Sequence, residues 1–217
     1  MTPMIHLALL RHGPTAWNRS RRIQGLTDEP LDEAGRVQVA LWRLPERWVA
    51  RPWVTSPLRR CRETAALLAA SHARDGAIAI EPRLIEMSHG DWEGERLADL
   101  RARLGDAMAA LEDRGLDYRA PGGESPREVQ QRLIPWLRQI AATKVDMLAI
   151  THRGILRALY AMAVGWDMTG KPPIKLQEDC LHLFAIASDG RPKIDRLNLS
   201  VMPAEAAPAH RHGAGGS

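Results

Sequence analysis

Apolar positions along the chain fall into short dense runs that alternate with longer stretches of helical spacing. Ile5–Leu10 is a nearly continuous apolar run closed by Arg11-His12-Gly13, which predicts a buried strand. Over Leu31–Trp48, the residues Val37, Leu41, Leu44 and Trp48 recur near a helical period, and Pro45 is expected to kink or shorten that helix. Trp53-Val54-Thr55 predicts a short strand ended by Ser56-Pro57. Pro57 suits a first helical position, and an Ala/Leu-rich helix follows through Ala70. Ala77–Ile80 is a further strand, and Leu97–Leu111 has helical spacing with a weak point at Gly105. Ser125 and Glu128 form a capping box around Pro126, opening a helix to about Thr143 that Pro135 is expected to interrupt. Met147–Thr151 predicts a strand, with a helix following through Val164. Leu181–Ala187 and Lys193–Leu199 are the last strands, joined by the turn residues Ser188-Asp189-Gly190. Strands alternating with helices predict an α/β fold with a mostly parallel sheet.

Length and composition narrow the class. The 217 residues, 45% hydrophobic, fit one domain over 1–202 followed by a tail, 203–217, whose Ala, Pro, Gly and His content predicts disorder. No apolar run approaches the ~18–20 residues of a membrane span. The run at Ile5 lacks the basic flank of a secretory signal, so the cytoplasm is the expected compartment. Two cysteines, Cys61 and Cys180, supply neither a disulfide framework nor a zinc ribbon. The charge balance is 30 basic against 26 acidic residues, and only Lys144, Lys171, Lys175 and Lys193 are lysines. Arginine's planar fork suits phosphate, although a codon bias would enrich it equally. The arginines are interleaved with Asp and Glu, which argues weakly against nucleic acid.

The candidate chemistry lies just after the strands, where open α/β sheets bind ligands. Arg11-His12-Gly13 follows the first strand, Ser56-Pro57-Leu58-Arg59-Arg60 the second, and His152-Arg153-Gly154 the Met147 strand. Glu86 to Gly94 follows the Ala77 strand and is rich in acid and glycine. A lone histidine after a strand is more often a turn or capping residue. Two histidines, several arginines and a carboxyl group at one sheet edge suit phosphoryl transfer. Arginine pairs bind non-bridging oxygens, an imidazole can attack phosphorus, and a carboxyl group can protonate the leaving oxygen.

These segments resemble the histidine phosphatase superfamily, also called phosphoglycerate mutase-like. Leu10-Arg11-His12-Gly13 with Thr15, Trp17 and Asn18 is similar to its signature. Gln24-Gly25, Asp28, Pro30-Leu31, Gly35 and Gln38 resemble its second segment, and Ser56-Pro57-Leu58, Arg60, Thr64 and Ala65 its arginine motif. Glu86, Gly90 and Trp92-Glu93-Gly94 resemble its acid segment, followed by Gly123-Glu124-Ser125 and Thr151-His152-Arg153-Gly154. The resemblance implies a three-layer sandwich with helices on both faces of the sheet. It implies His12 as the nucleophile that becomes phosphohistidine, Glu86 as proton donor and later base, and Arg11, Arg60 and His152 around the phosphoryl group. Asn18 and Gln24 are implied as further contacts. No metal or other cofactor is implied, because the arginines and His152 supply positive charge. A zinc site on His12, His89 and His152 would lack metal-type spacing.

Three positions depart from the family pattern: Pro14, Cys61 and Arg153. Arg153 has two readings, a fourth arginine for phosphate or substrate, and an outward-pointing first-turn residue. Residues 95–120 contain no lysine and lack the basic insert of the family's mutases, so the expectation is a phosphatase of small esters. A cofactor-dependent phosphoglycerate mutase and a catalytically retired binding module are the alternatives. The leaving-group pocket is expected from the 86–125 region. The expected partner is a small phosphorylated molecule, without nucleic acid or membrane, and a homodimer is left open.

Overall fold

The computed structural model describes residues 4–203. The strands are β1 (Ile5–Arg11), β2 (Trp53–Thr55), β3 (Ile78–Ile80), β4 (Met147–Thr151), β5 (Cys180–Ile186) and β6 (Pro192–Ser200). The helices are α1 (Ala16–Arg19), α2 (Glu33–Leu41), α3 (Glu46–Val49), α4 (Arg59–Ser71), α5 (Leu97–Leu104), α6 (Asp106–Glu112), α7 (Pro126–Thr143) and α8 (Arg153–Val164). The sheet order is β3-β2-β4-β1-β5-β6. Pairings among β3, β2, β4 and β1 are parallel, and β5 runs antiparallel to both β1 and β6. Five of the six strands therefore point one way, and the fold is an α/β sandwich around a mixed sheet.

Side chains alternate across a strand, so a central strand must be apolar on both faces. On β1, Ile5, Leu7 and Leu9 pack with α7 and α8 through Leu133, Trp136 and Leu159. Ala8 and Leu10 face the other layer, with Val39, Trp42, Trp48, Cys61 and Leu68. A third, smaller cluster of Trp92, Leu100, Met108 and Ala120 supports the region around α5 and α6.

Several elements differ from the sequence expectation, each for a local reason. The helix over 31–48 divides: α2 ends at Leu41, before Pro45, and α3 resumes as a single turn. Pro57 lies before the helix rather than at its first position, since Leu58 is the cap and Arg59 the first residue. Gly105 splits the 97–111 helix, with φ 50° and ψ −124°, a conformation open to glycine. Pro135 does not interrupt α7, which runs unbroken to Thr143. Pro135 and Gln131 are both exposed, so the carbonyl freed by the missing N–H faces water. The Ser125–Glu128 capping box is present in both directions. The tail expectation concerns residues outside those described, apart from Pro203. Among the described residues, no helix is long and apolar enough to cross a membrane.

Candidate active site

The parallel register places the carboxyl ends of β1, β4 and β2 side by side. Arg11 pairs with Thr151, and Thr55 with Ile150. The ladder continues one residue further: His12 N–H donates to the Thr151 carbonyl (2.9 Å) and Ser56 N–H to the Ile150 carbonyl (3.0 Å). His12, Ser56 and His152 thus leave adjacent strands at one edge, and the two imidazole centroids are 5.2 Å apart.

His12 is buried, and its Nδ1 lies 2.7 Å from the Gly13 carbonyl. A carbonyl only accepts, so Nδ1 carries the proton and Nε2 the lone pair. Burial lowers the pKa of His12 well below the ordinary imidazole value, and the charges of Arg11 and Arg60 push the same way against the Gly13 hydrogen bond. The ring is therefore neutral, with a free Nε2.

Arg60 is fully buried. Its terminal nitrogens donate to the carbonyls of Thr27 and Gly25, both at 2.8 Å, and its Nε–H to Nδ1 of His152 at 3.2 Å. Arg59 instead reaches outward to Glu63 at 2.6 Å, so the structure brings Arg60 and not Arg59 to the cavity. Since Arg60 only donates, His152 Nδ1 accepts, and Nε2 carries the proton given to Ser56 Oγ at 2.7 Å. Burial, with Arg60, His12 and Arg11, also lowers His152 well below the imidazole range. His152 is thus neutral here, an N–H donor rather than the positive charge expected of it; the cationic groups are the arginines.

Arg11 is paired with Glu178, a residue sequence reasoning did not select, while its Nε is buried without a partner. Asn18 uses its side-chain carbonyl within a capping box, accepting from Thr15 N–H at 3.0 Å. Its amide NH2 remains for a ligand. Gln24 is buried on the cavity wall, with Oε1 unpartnered. Arg153 is exposed and lines the cavity as the first residue of α8.

Glu86 also lines the cavity, and its carboxylate accepts from Met87 N–H (2.8 Å) and Gly154 N–H (3.1 Å). Its backbone is braced by Arg132 of α7, which pairs with Glu124 at 2.8 Å and donates to the carbonyls of Ile85 (2.8 Å) and Glu86 (3.3 Å). The other acids of this segment have different roles. Asp91 is exposed and lies off the cavity. Glu93 accepts from Leu26 N–H and Thr27 N–H, both at 2.9 Å, from Thr27 Oγ at 2.8 Å and from His89 N–H at 3.2 Å. Burial works to raise its pKa, yet these donors hold it below the ordinary carboxylate value. Glu93 ties the 24–28 loop to the acid segment.

Burial pushes the Cys61 thiol far above its ordinary pKa, and its Sγ lies 3.4 Å from the Thr151 carbonyl, so it fills space rather than offering a thiolate. Among the described residues, no group of three or more His, Cys, Asp and Glu side chains is arranged to hold a metal ion.

The cavity measures about 1110 Å³. The 86–118 region supplies one wall, as expected. A second wall joins Arg153 and Gly154, which the sequence placed at this edge, to Arg157, Met168, Gly170 and Glu178, which it did not, because that wall forms only when α8 and the following loop fold across the sheet edge.

The site thus brings a neutral, oriented imidazole, the buried Arg60, the half-buried Arg11 and the Glu86 carboxylate together at a parallel sheet edge. Residues 7–200 match the pattern of the histidine phosphatase superfamily (branch 1), and the chain belongs to that superfamily. It is 32% identical over 178 residues to a glucosyl-3-phosphoglycerate phosphatase of Mycolicibacterium vanbaalenii, covering 76% of this chain and 77% of that one. It is 36% identical over 178 residues to a probable phosphoglycerate mutase of Erwinia tasmaniensis, covering 80% and 81%. The native structure of a mycobacterial glucosyl-3-phosphoglycerate phosphatase superposes with a TM-score of 0.71 at 26% identity, covering 92% of this chain and 100% of that one.

Proposed function

We propose that the protein is a phosphomonoesterase that hydrolyses small phosphate esters through a phosphohistidine on His12. The observation that carries this reading is the His12 tautomer: Nδ1–H is tied to the Gly13 carbonyl, and Nε2 is left as a neutral nucleophile. In the first step His12 Nε2 forms a bond to phosphorus, the bond from phosphorus to the ester oxygen breaks, and Glu86 gives its proton to the departing alcohol. In the second step water attacks phosphorus, Glu86 takes its proton, the P–N bond breaks and inorganic phosphate leaves. Arg11 and Arg60 hold the non-bridging oxygens, with Asn18, Gln24 and Arg153 as further contacts.

Relatives of this chain carry both phosphatase and mutase names. Hydrolysis is favoured because two arginines of the 95–120 segment are already neutralised, Arg101 by Glu112 at 2.7 Å and Arg103 by Glu95 at 3.1 Å. A mutase needs unspent cations there to retain a phosphorylated acid, and of the two arginines this segment gives the cavity only Arg96 is outside an ion pair among the described residues. The test is to incubate the enzyme with 3-phosphoglycerate and its bisphosphate primer and follow both products. Release of inorganic phosphate supports the proposal; isomerisation without phosphate release overturns it in favour of a mutase.

A further inference from the structure

A second cavity, of about 550 Å³, adjoins the first along α8. Arg11, Arg153, Arg157 and Glu178 line both, so a molecule held at the first can extend into the second. Its wall is apolar at Leu156, Tyr160 and Trp166, and its cations are Arg153, Arg157 and Lys175. None of these three cations enters an ion pair among the described residues. Glu178, which lines both cavities, is taken by Arg11.

Arg157 is the most informative of the three. Its guanidinium carbon lies 5.3 Å from the Trp166 ring centroid, a stacking that fixes its plane and leaves its edge donors free. Its Nε is buried with no acceptor. A buried donor without a partner is costly, and an oriented one lining a cavity is a site for an acceptor.

Helix geometry sets the distance. Glu86 is held at Gly154, and Arg157 lies one turn past Arg153, roughly 6 Å further along the axis. We infer that the alcohol part of the substrate carries a second anionic group, a carboxylate or a phosphate, which Arg157 and Arg153 bind. This rests on the reading of the first cavity as the phosphoryl site. Of the two sequence readings of Arg153, it takes the substrate contact.

The test compares glycerol 3-phosphate, which lacks a second anion, with 3-phosphoglycerate and with propane-1,3-diol bisphosphate. In the wild type, kcat/KM for at least one of the doubly anionic esters should exceed that for glycerol 3-phosphate by about tenfold or more. Arg157→Gln should bring the ratio to within about threefold of one. Arg153→Gln, at an exposed position that tolerates substitution, should lower the same ratio. Binding of the three esters to the His12→Asn protein, measured by calorimetry, gives the preference without turnover. A wild type indifferent to the second anion in both turnover and binding overturns the inference, as does a preference that both arginine variants retain. A binding preference lost on combining His12→Asn with Arg157→Gln, in a protein whose wild type releases no phosphate, upholds the subsite and overturns the phosphatase reading.

Discussion

The Gly154 backbone N–H donates to both oxygens of the Glu86 carboxylate, at 3.1 and 3.3 Å. The approach is this close because residue 154 has no side chain: a Cβ there would stand 2.4 Å from Glu86 Oε1. The Glu86 carboxylate is thus placed by the first turn of α8 and by Arg132 behind it. Gly154→Ala should leave the fold intact, since alanine favours a helix. It should lower kcat for an alkyl phosphate by about 10²-fold, the usual cost of displacing a reacting group by about 1 Å. An unchanged kcat would show that the carboxylate is not used from this position.

His12→Asn should remove turnover by at least about 10³-fold, because the oriented Nε2 lone pair is lost. An acid-labile phosphate on His12, seen by mass spectrometry after a quench, is expected in the wild type alone. A label on Cys61 or Ser56 would refute the assignment.

Glu86→Gln keeps the shape of the donor and removes its transferable proton. The first step with an alkyl ester should slow by ~10²–10⁴-fold, while phosphorylation by p-nitrophenyl phosphate, whose leaving group departs unaided, should change far less. Glu93→Gln is the contrast. It weakens four hydrogen bonds that join two loops, so it should lower the melting temperature and slow both substrates alike. Equal burst-phase losses for both esters in Glu86→Gln would reduce that residue to charge balance.

The two site histidines make stability depend on pH with a definite sign. Both have pKa values well below the ordinary 6.5, through burial first and neighbouring arginines second. Between that lowered value and about 6.5, the unfolded chain binds protons that the native protein refuses. Unfolding free energy should therefore fall as pH drops through about 6.5 and keep falling until the native rings titrate. Denaturant melts at pH 7.5 and 5.5 measure this, and His12→Asn should shrink the difference. Imidazole NMR signals of His12 and His152 that titrate near 6.5 would contradict it.

In the proposed mechanism Glu178 would compete with a phosphoryl oxygen for Arg11. Removing it in Glu178→Ala should tighten binding of inorganic phosphate by roughly two- to fivefold, the scale of an exposed ion pair. Weaker binding would show that Glu178 orients Arg11 instead.

The sequence by itself determined the elements and the short-range chemistry. The run at Ile5–Leu10, the capping box at Ser125 and the strand at Met147 are local signals, because period and capping are read within a few residues. The placement of Arg11-His12, Arg60 and Glu86 at the cavity, with His152 buried behind them, also follows from local order, since each lies just after a strand or its loop. Only the tertiary structure decided which atoms do what. The Arg60 contact fixes the His152 tautomer from 92 positions away. Glu93 and Glu86, alike in the sequence, part because one meets four donors and the other lines the cavity. The Glu178 partner of Arg11 lies 167 positions away in the chain, and only the fold leaves the buried Arg157 Nε without an acceptor. Such roles depend on burial and direction, and a side chain acquires both only when distant elements close around it.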